Sequence, residues 1–254
     1  MEEETPFIND VATRSFRDVA DQDYITARIC YRQGLMIQFV WMAEQAIEKY
    51  LKAILLFNMR STKGHSHALM AILDEVKKIE GMRLDLSDDV IRFISYLDDQ
   101  GSNRYLDKPH YTKGKELYFL DKSVWEIRRY CKYINQEIPN RSGGHKNLMD
   151  IHINTIHSLK ETKRPHKFRL TGGYLEKVLE KKKHLQKDSL IWQNLYYGNK
   201  YKSQVRIPRQ MNAINPTHIL HPEHIKHYEK LFQIPPKIKT QINNYNQRSK
   251  RKKT

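Results

Sequence analysis

Arg104 and His110 stand six positions apart in GSNRYLDKPHYTKG, residues 101–114, a stretch punctuated by Gly101, Pro109 and Gly114. These two residue types at close range can cleave RNA without a metal. The reaction needs a base to take the proton from the ribose 2′-hydroxyl, an acid for the leaving 5′-oxygen and a cation for the crowded phosphate. Imidazole suits both proton transfers, because its unperturbed pKa is about 6.5. Guanidinium suits the phosphate, because its planar fork donates two aligned hydrogen bonds and stays charged. Lys108, Tyr111 and Lys113 stand beside the pair and would add phosphate contacts. Pro109 opposes a shared helical face, since it lacks an N–H and disfavours helical geometry at Lys108. So short a spacing also arises by chance, and its weight depends on the elements around it.

A second candidate lies at residues 190–210, LIWQNLYYGNKYKSQVRIPRQ, which interleaves Trp192, Tyr196, Tyr197 and Tyr201 with Lys200, Lys202, Arg206 and Arg209. Aromatic rings stack on unpaired bases while neighbouring cations hold the backbone. The same residues could instead form a small hydrophobic cluster that pins an extension onto a core, and the sequence leaves both open. Histidines offer less. His65 and His67 sit in a loop with Gly64, where a metal role is the weaker reading, and His221, His224 and His227 recur every three residues with no Cys or carboxylate completing a set. No metal and no cofactor is expected.

The 254-residue chain carries a net charge of +16, unevenly placed. Residues 1–140 hold 20 Lys and Arg against 22 Asp and Glu, whereas 141–254 hold 25 against 7. A near-neutral half joined to a cationic half points to a polyanion partner, RNA or another nucleic acid first. A membrane surface is second, but the basic half lacks an amphipathic helix with a strong apolar face. No apolar run approaches the ~20 residues of a membrane span, and MEEETPFIND has neither the basic nor the apolar region of a secretory signal. With Cys30 and Cys131 too few for a disulfide framework, a cytoplasmic setting is expected.

The elements that must position these residues are helices. Phe16, Val19, Ala20, Tyr24, Ala27 and Tyr31 recur at helical spacing, as do Val40, Ala43, Ile47, Tyr50, Leu51 and Ile54 after Gly34. The second of these reads as the central helix, with Glu44, Gln45, Glu48, Lys49 and Lys52 on its other side. Further helices carry Leu69, Ile72, Leu73 and Val76, then the stretch after Ser87 (a helix-capping residue type), then Leu117, Leu120, Val124, Ile127 and Cys131. Short connections make this a bundle. EIPNRSGGHKN, 137–147, breaks the pattern. The expected organisation is a bundle over 10–138, a linker at 139–147, a basic, partly helical extension over 148–240 and a disordered basic tail at 241–254.

The central helix reads Gln45-Ala46, Glu48-Lys49 and Lys52-Ala53, His67 and Leu69 open the next helix, and Arg104-Tyr105 precede the last. In this order and spacing the first half resembles the HEPN superfamily. The resemblance implies an all-α fold, an up-and-down bundle of about five helices, here followed by a basic, loosely structured C-terminal extension. Catalytic members are metal-independent endoribonucleases with an Arg followed after four to six residues by His, a pattern that Arg104 and His110 fit. It further implies a homodimer that joins two such motifs, a toxin–antitoxin or phage-defence role, and a nucleotidyltransferase or antitoxin as partner. Other members bind nucleotides or proteins without cleavage. Catalytic members usually place a polar residue directly after the arginine, where this chain has Tyr105, and Arg-Tyr is common in the non-catalytic branch.

Overall fold

The computed structural model describes residues 4–64, 67–101, 110–133, 137–139, 144–161, 165–198, 202–206, 212–214 and 221–231, with single positions from 234 to 244. Helix α1 (Thr5–Val11) runs through a π-helical stretch, Ala12–Arg17, into α2 (Asp18–Arg32). Gly34 closes α2 in a left-handed conformation, φ +75°. Its N–H donates to the Tyr31 carbonyl at 3.1 Å and the Leu35 N–H to that of Cys30 at 2.9 Å, which satisfies the last carbonyls of α2. The chain reverses there into α3 (Met36–Phe57), whose apolar positions repeat on more than one face, so it can be enclosed. It is: α3 contacts α2, α4 (Leu69–Lys77), α5 (Asp88–Gly101) and α6 (Glu116–Arg128).

The polar side of α3 is not simply a solvated face. Glu48 is 5% exposed, and its carboxylate takes Lys52 Nζ at 2.5 Å and lies 3.0 Å from His67 Nδ1. Lys49 reaches Asp23 on α2 at 2.6 Å and Gln45 at 3.3 Å. Within the Gln-Ala, Glu-Lys, Lys-Ala run, Glu48 and Lys49 thus reach partners outside α3, whereas Gln45 and Lys52 pair with them along the helix. Asp98 of α5 accepts the Leu69 N–H at 2.6 Å and so caps α4 from across the bundle. Ser87, expected as a helix cap, donates its N–H and hydroxyl to Glu126 of α6, at 2.7 and 3.0 Å.

The second half does not stand apart. Strands β2 (Glu137–Pro139) and β3 (His145–Asn147) pair antiparallel, β2 spanning the expected end of the bundle and β3 lying in the expected linker. Then α7 (Leu148–Glu161), α8 (Tyr174–Glu180) and α9 (Lys187–Ile191) follow. Met149, Ile153, Ile156, Leu170, Leu175, Val178 and Leu190 belong to the same buried cluster as Leu51 and Val124. One core therefore spans residues 12 to 197. Near the candidate loop, β1 (His110–Thr112) pairs antiparallel with β4 (Asn212–Ile214), Tyr111 opposite Ala213. Farther on, α10 (Ile225–Tyr228) contributes Ile225 and Tyr228 to a small separate cluster with Ile234 and Ile242.

Candidate nucleic-acid interface

His110 opens β1, its backbone paired with that of Ile214, and the chain passes through Gly114 into α6. Gly114, φ +82°, offers its carbonyl to the Tyr31 hydroxyl at 3.0 Å. The downstream end of the candidate loop is therefore held from two sides, by α2 and by a strand of the basic half. Arg104 and Lys108 lie outside the described residues, and Tyr111 is described only through its backbone. Lys113 is exposed.

The aromatic and basic stretch divides differently from a stacking platform. Tyr197 is 2% exposed, with its ring 5.8 Å from that of Tyr24 and the Arg128 guanidinium 6.0 Å away. A ring so enclosed has no free face for a base, so Tyr197 is corrected from a nucleic-acid contact to a core residue. Tyr196 and Trp192 are half-buried against the same core. Tyr196 lies 5.6 Å from Trp125, and the Arg32 guanidinium stands 5.5 Å from the Trp192 ring. Lys202 donates to the Ile191 carbonyl at 2.5 Å, and partial burial, with Arg28 nearby, lowers its pKa. Arg206 is exposed. Lys200, Tyr201 and Arg209 lie outside the described residues.

What fastens this stretch is a set of buried charges that sequence reasoning missed. Arg128 of α6 donates to Asp21 of α2 from Nε at 2.6 Å and Nη2 at 2.8 Å, and to Glu176 of α8 from Nη1 at 2.9 Å and Nη2 at 2.7 Å. Arg28 of α2 pairs with Asp121 of α6 and donates to the carbonyls of Ser189, at 2.9 Å, and Trp192. Tyr24 donates to Asp121 at 2.7 Å and accepts from Asn194 at 2.8 Å. Asn194 in turn accepts the N–H groups of Tyr196 and Tyr197. Burial raises the pKa of Asp21 despite Arg128 and Tyr50. Burial also opposes the charge on Glu176, but Arg128 and the Leu170 N–H together outweigh it and hold that carboxyl below its ordinary value. The one available signal in the sequence was arginine at positions where the apolar period calls for a core residue.

Exposed cations remain for a polyanion, among them Lys181, Lys182 and Lys183 after α8. His221 and His224 stand near each other, 6.4 Å between rings, His221 just before a short 3-10 turn, Pro222–His224, and His224 at its end, rather than on one α-helix. His65 lies outside the described residues. Among the described residues no group of three or more His, Cys, Asp or Glu is placed to hold a metal ion. None of their helices is long and apolar enough to cross a membrane.

Residues 13–134 match the family model described as the HEPN domain. No curated protein and no solved structure matches the chain.

Proposed function

Residues 13–134 form a HEPN domain, in a family whose functions concern nucleotides and RNA, and from that premise we propose that the protein acts on RNA as a metal-independent endoribonuclease of the toxin or phage-defence kind. What supports the proposal is where the Arg/His pair falls along the sequence. Arg104 falls in the chain between α5 and β1, and His110 opens the strand that leads into α6. In this proposal His110 exchanges the proton of the 2′-hydroxyl and Arg104 holds the phosphate. A homodimer brings two such pairs together, and an antitoxin or nucleotidyltransferase is the partner that restrains them. The basic half supplies capture, through its exposed lysines rather than the buried Tyr197.

The test is cleavage of labelled RNA in EDTA by the wild type, Arg104→Ala and His110→Ala. Loss of a general acid–base group costs roughly 10²–10⁴-fold, which is the fall expected of His110→Ala, and loss of a donor to the transition-state charge costs about 10²–10³-fold, which is the fall expected of Arg104→Ala. Equal degradation by all three proteins refutes the proposal. A second reading, a HEPN module that binds RNA without cutting it, is favoured by Tyr105 directly after the arginine. It predicts RNA binding with no cleavage by any of the three.

A further inference from the structure

The main buried core ends at Tyr197, and polar anchors direct the chain beyond it. Arg169 Nη2 donates to the Gly198 carbonyl at 3.1 Å, and Lys202 Nζ donates to that of Ile191 at 2.5 Å. Val205 and Arg206 then share a small cleft, about 20 Å³, with Tyr31, Gly114 and Trp192. Further on, β4 pairs with β1, placing Ile214 opposite His110, Ala213 opposite Tyr111 and Asn212 opposite Thr112. The basic half is thus led, anchor by anchor, onto the candidate loop at His110.

The side of the loop toward α6 is fixed from the bundle. Tyr31 of α2 donates its hydroxyl to the Gly114 carbonyl at 3.0 Å. Burial first, then the charges of Glu116 and Asp121, push the Tyr31 pKa up to about 12, so the hydroxyl keeps its proton and stays a donor. The Lys113 N–H donates to Glu116 Oε1 at 2.5 Å, and Thr112 is 2% exposed. The backbone is therefore set from Thr112 onward. At His110 its strand partner among the described residues is β4. A two-stranded ladder is marginal by itself, but the anchors at Gly198, Ile191 and Gly114 shorten the loop that has to close it. Proton transfer tolerates little displacement, since an error of about 1 Å in a reacting group can cost ~10²-fold. We propose that β4 and Tyr31 are positioning elements of the Arg104/His110 site, so that the basic half sets the place of His110 as well as capturing RNA. This deepens the ribonuclease proposal and rests on it for the effect on cleavage, whereas the hold of β4 on residues 110–112 is tested without it.

The experiment compares the full-length wild type with Ala213→Pro, Ile214→Pro and Tyr31→Phe. In an antiparallel pair, successive residues point their N–H alternately toward the partner strand and away from it. One proline therefore removes a donor from the ladder, and the other removes an outward N–H, which an edge strand tolerates. Single-turnover cleavage of labelled RNA in EDTA should slow about tenfold to 10²-fold with the first and much less with the second. Tyr31→Phe keeps the ring against Phe39 and should slow cleavage severalfold. In the slow proline variant, amide exchange over residues 110–112 should speed by about tenfold or more. Its melting temperature and its affinity for a 2′-O-methyl RNA, which resists cleavage, should stay at wild-type values, whereas a merely structural strand would lower the first and an RNA contact the second. Faster cleavage in either proline variant would make β4 a cover over the site and overturns the proposal. Equal slowing by both prolines with a lower melting temperature also overturns it, as does unchanged exchange in both. A wild type that cleaves, with both proline variants matching it, keeps the ribonuclease reading and loses this one. A wild type that cleaves no RNA loses the ribonuclease reading, and faster exchange in one proline variant alone then upholds the hold of β4 on residues 110–112.

Discussion

Glu176→Gln tests whether the basic half is a structural part of the bundle. The substitution keeps the volume of the side chain but replaces the carboxylate that receives Arg128 Nη1 at 2.9 Å, Arg128 Nη2 at 2.7 Å and the Leu170 N–H at 3.0 Å. One amide oxygen can satisfy part of this set, and the new NH₂ faces a guanidinium N–H. Arg128 then stays buried with Asp21 as its single counter-ion. Removing one member of a buried pair costs about 3–5 kcal/mol. For a chain of this size each kcal/mol is worth about 2–4 °C of Tm, so melting followed by far-UV circular dichroism should fall by about 6–20 °C. The pH dependence sharpens the test. Glu176 has a folded-state pKa below its unfolded value. The stability it contributes is full above the unfolded pKa of about 4.3 and is lost as pH falls through the folded value. Asp21, raised by burial, runs the other way, so the quantity to follow is the difference between wild type and variant. That difference should shrink in acid. A Tm within about 1 °C of wild type at pH 7, or a difference that grows in acid, would refute the buried clamp.

Tyr24→Phe removes the hydroxyl that joins Asp121 to Asn194 and should cost about 1–3 kcal/mol in urea unfolding, with an unchanged m-value if packing survives. Lys181, Lys182 and Lys183 are exposed; changing all three to Ala should weaken RNA binding at low salt without lowering Tm. If each contacts a phosphate of single-stranded RNA, the slope of log affinity against log salt should fall by about 2, and an unchanged slope would place the RNA elsewhere. Cys131 is fully enclosed, and burial, only partly offset by nearby arginines, raises its thiol pKa. A thiol-specific reagent should reach it only at the rate of unfolding.

The shape of the bundle was legible because its information is local. Val40, Ala43, Ile47, Tyr50, Leu51 and Ile54 repeat at the helical period, and all are buried as that period requires. Gly34 marked the reversal between α2 and α3, where a left-handed residue is needed. The place of the candidate loop was equally legible, since it falls between two helices whose limits can be read from caps and spacing. A pocket between α5 and α6 was not, although Phe93 and Tyr96, and Glu116 and Phe119, which line it, are each three apart. Spacing puts each pair on one face of its helix, but only the packing of α5 on α6 makes the two faces enclose a volume.

The division of labour follows from how far apart the interacting residues lie. Local spacing by itself determined an all-α bundle, its central helix and the segment where an Arg/His pair could work, because backbone hydrogen bonding and amphipathic burial act over a few residues. The basic half depends on contacts across the chain. Arg128 meets Asp21 107 positions away and Glu176 48 positions away, and Asn194 meets Tyr24 across 170. A charged residue reads as surface until a partner removes the cost of burying it, and no local pattern identifies that partner. Tertiary structure alone therefore decided that Tyr197 packs rather than stacks, that the extension shares the core, and that Glu116 Oε2 finds no hydrogen-bond partner among the described residues.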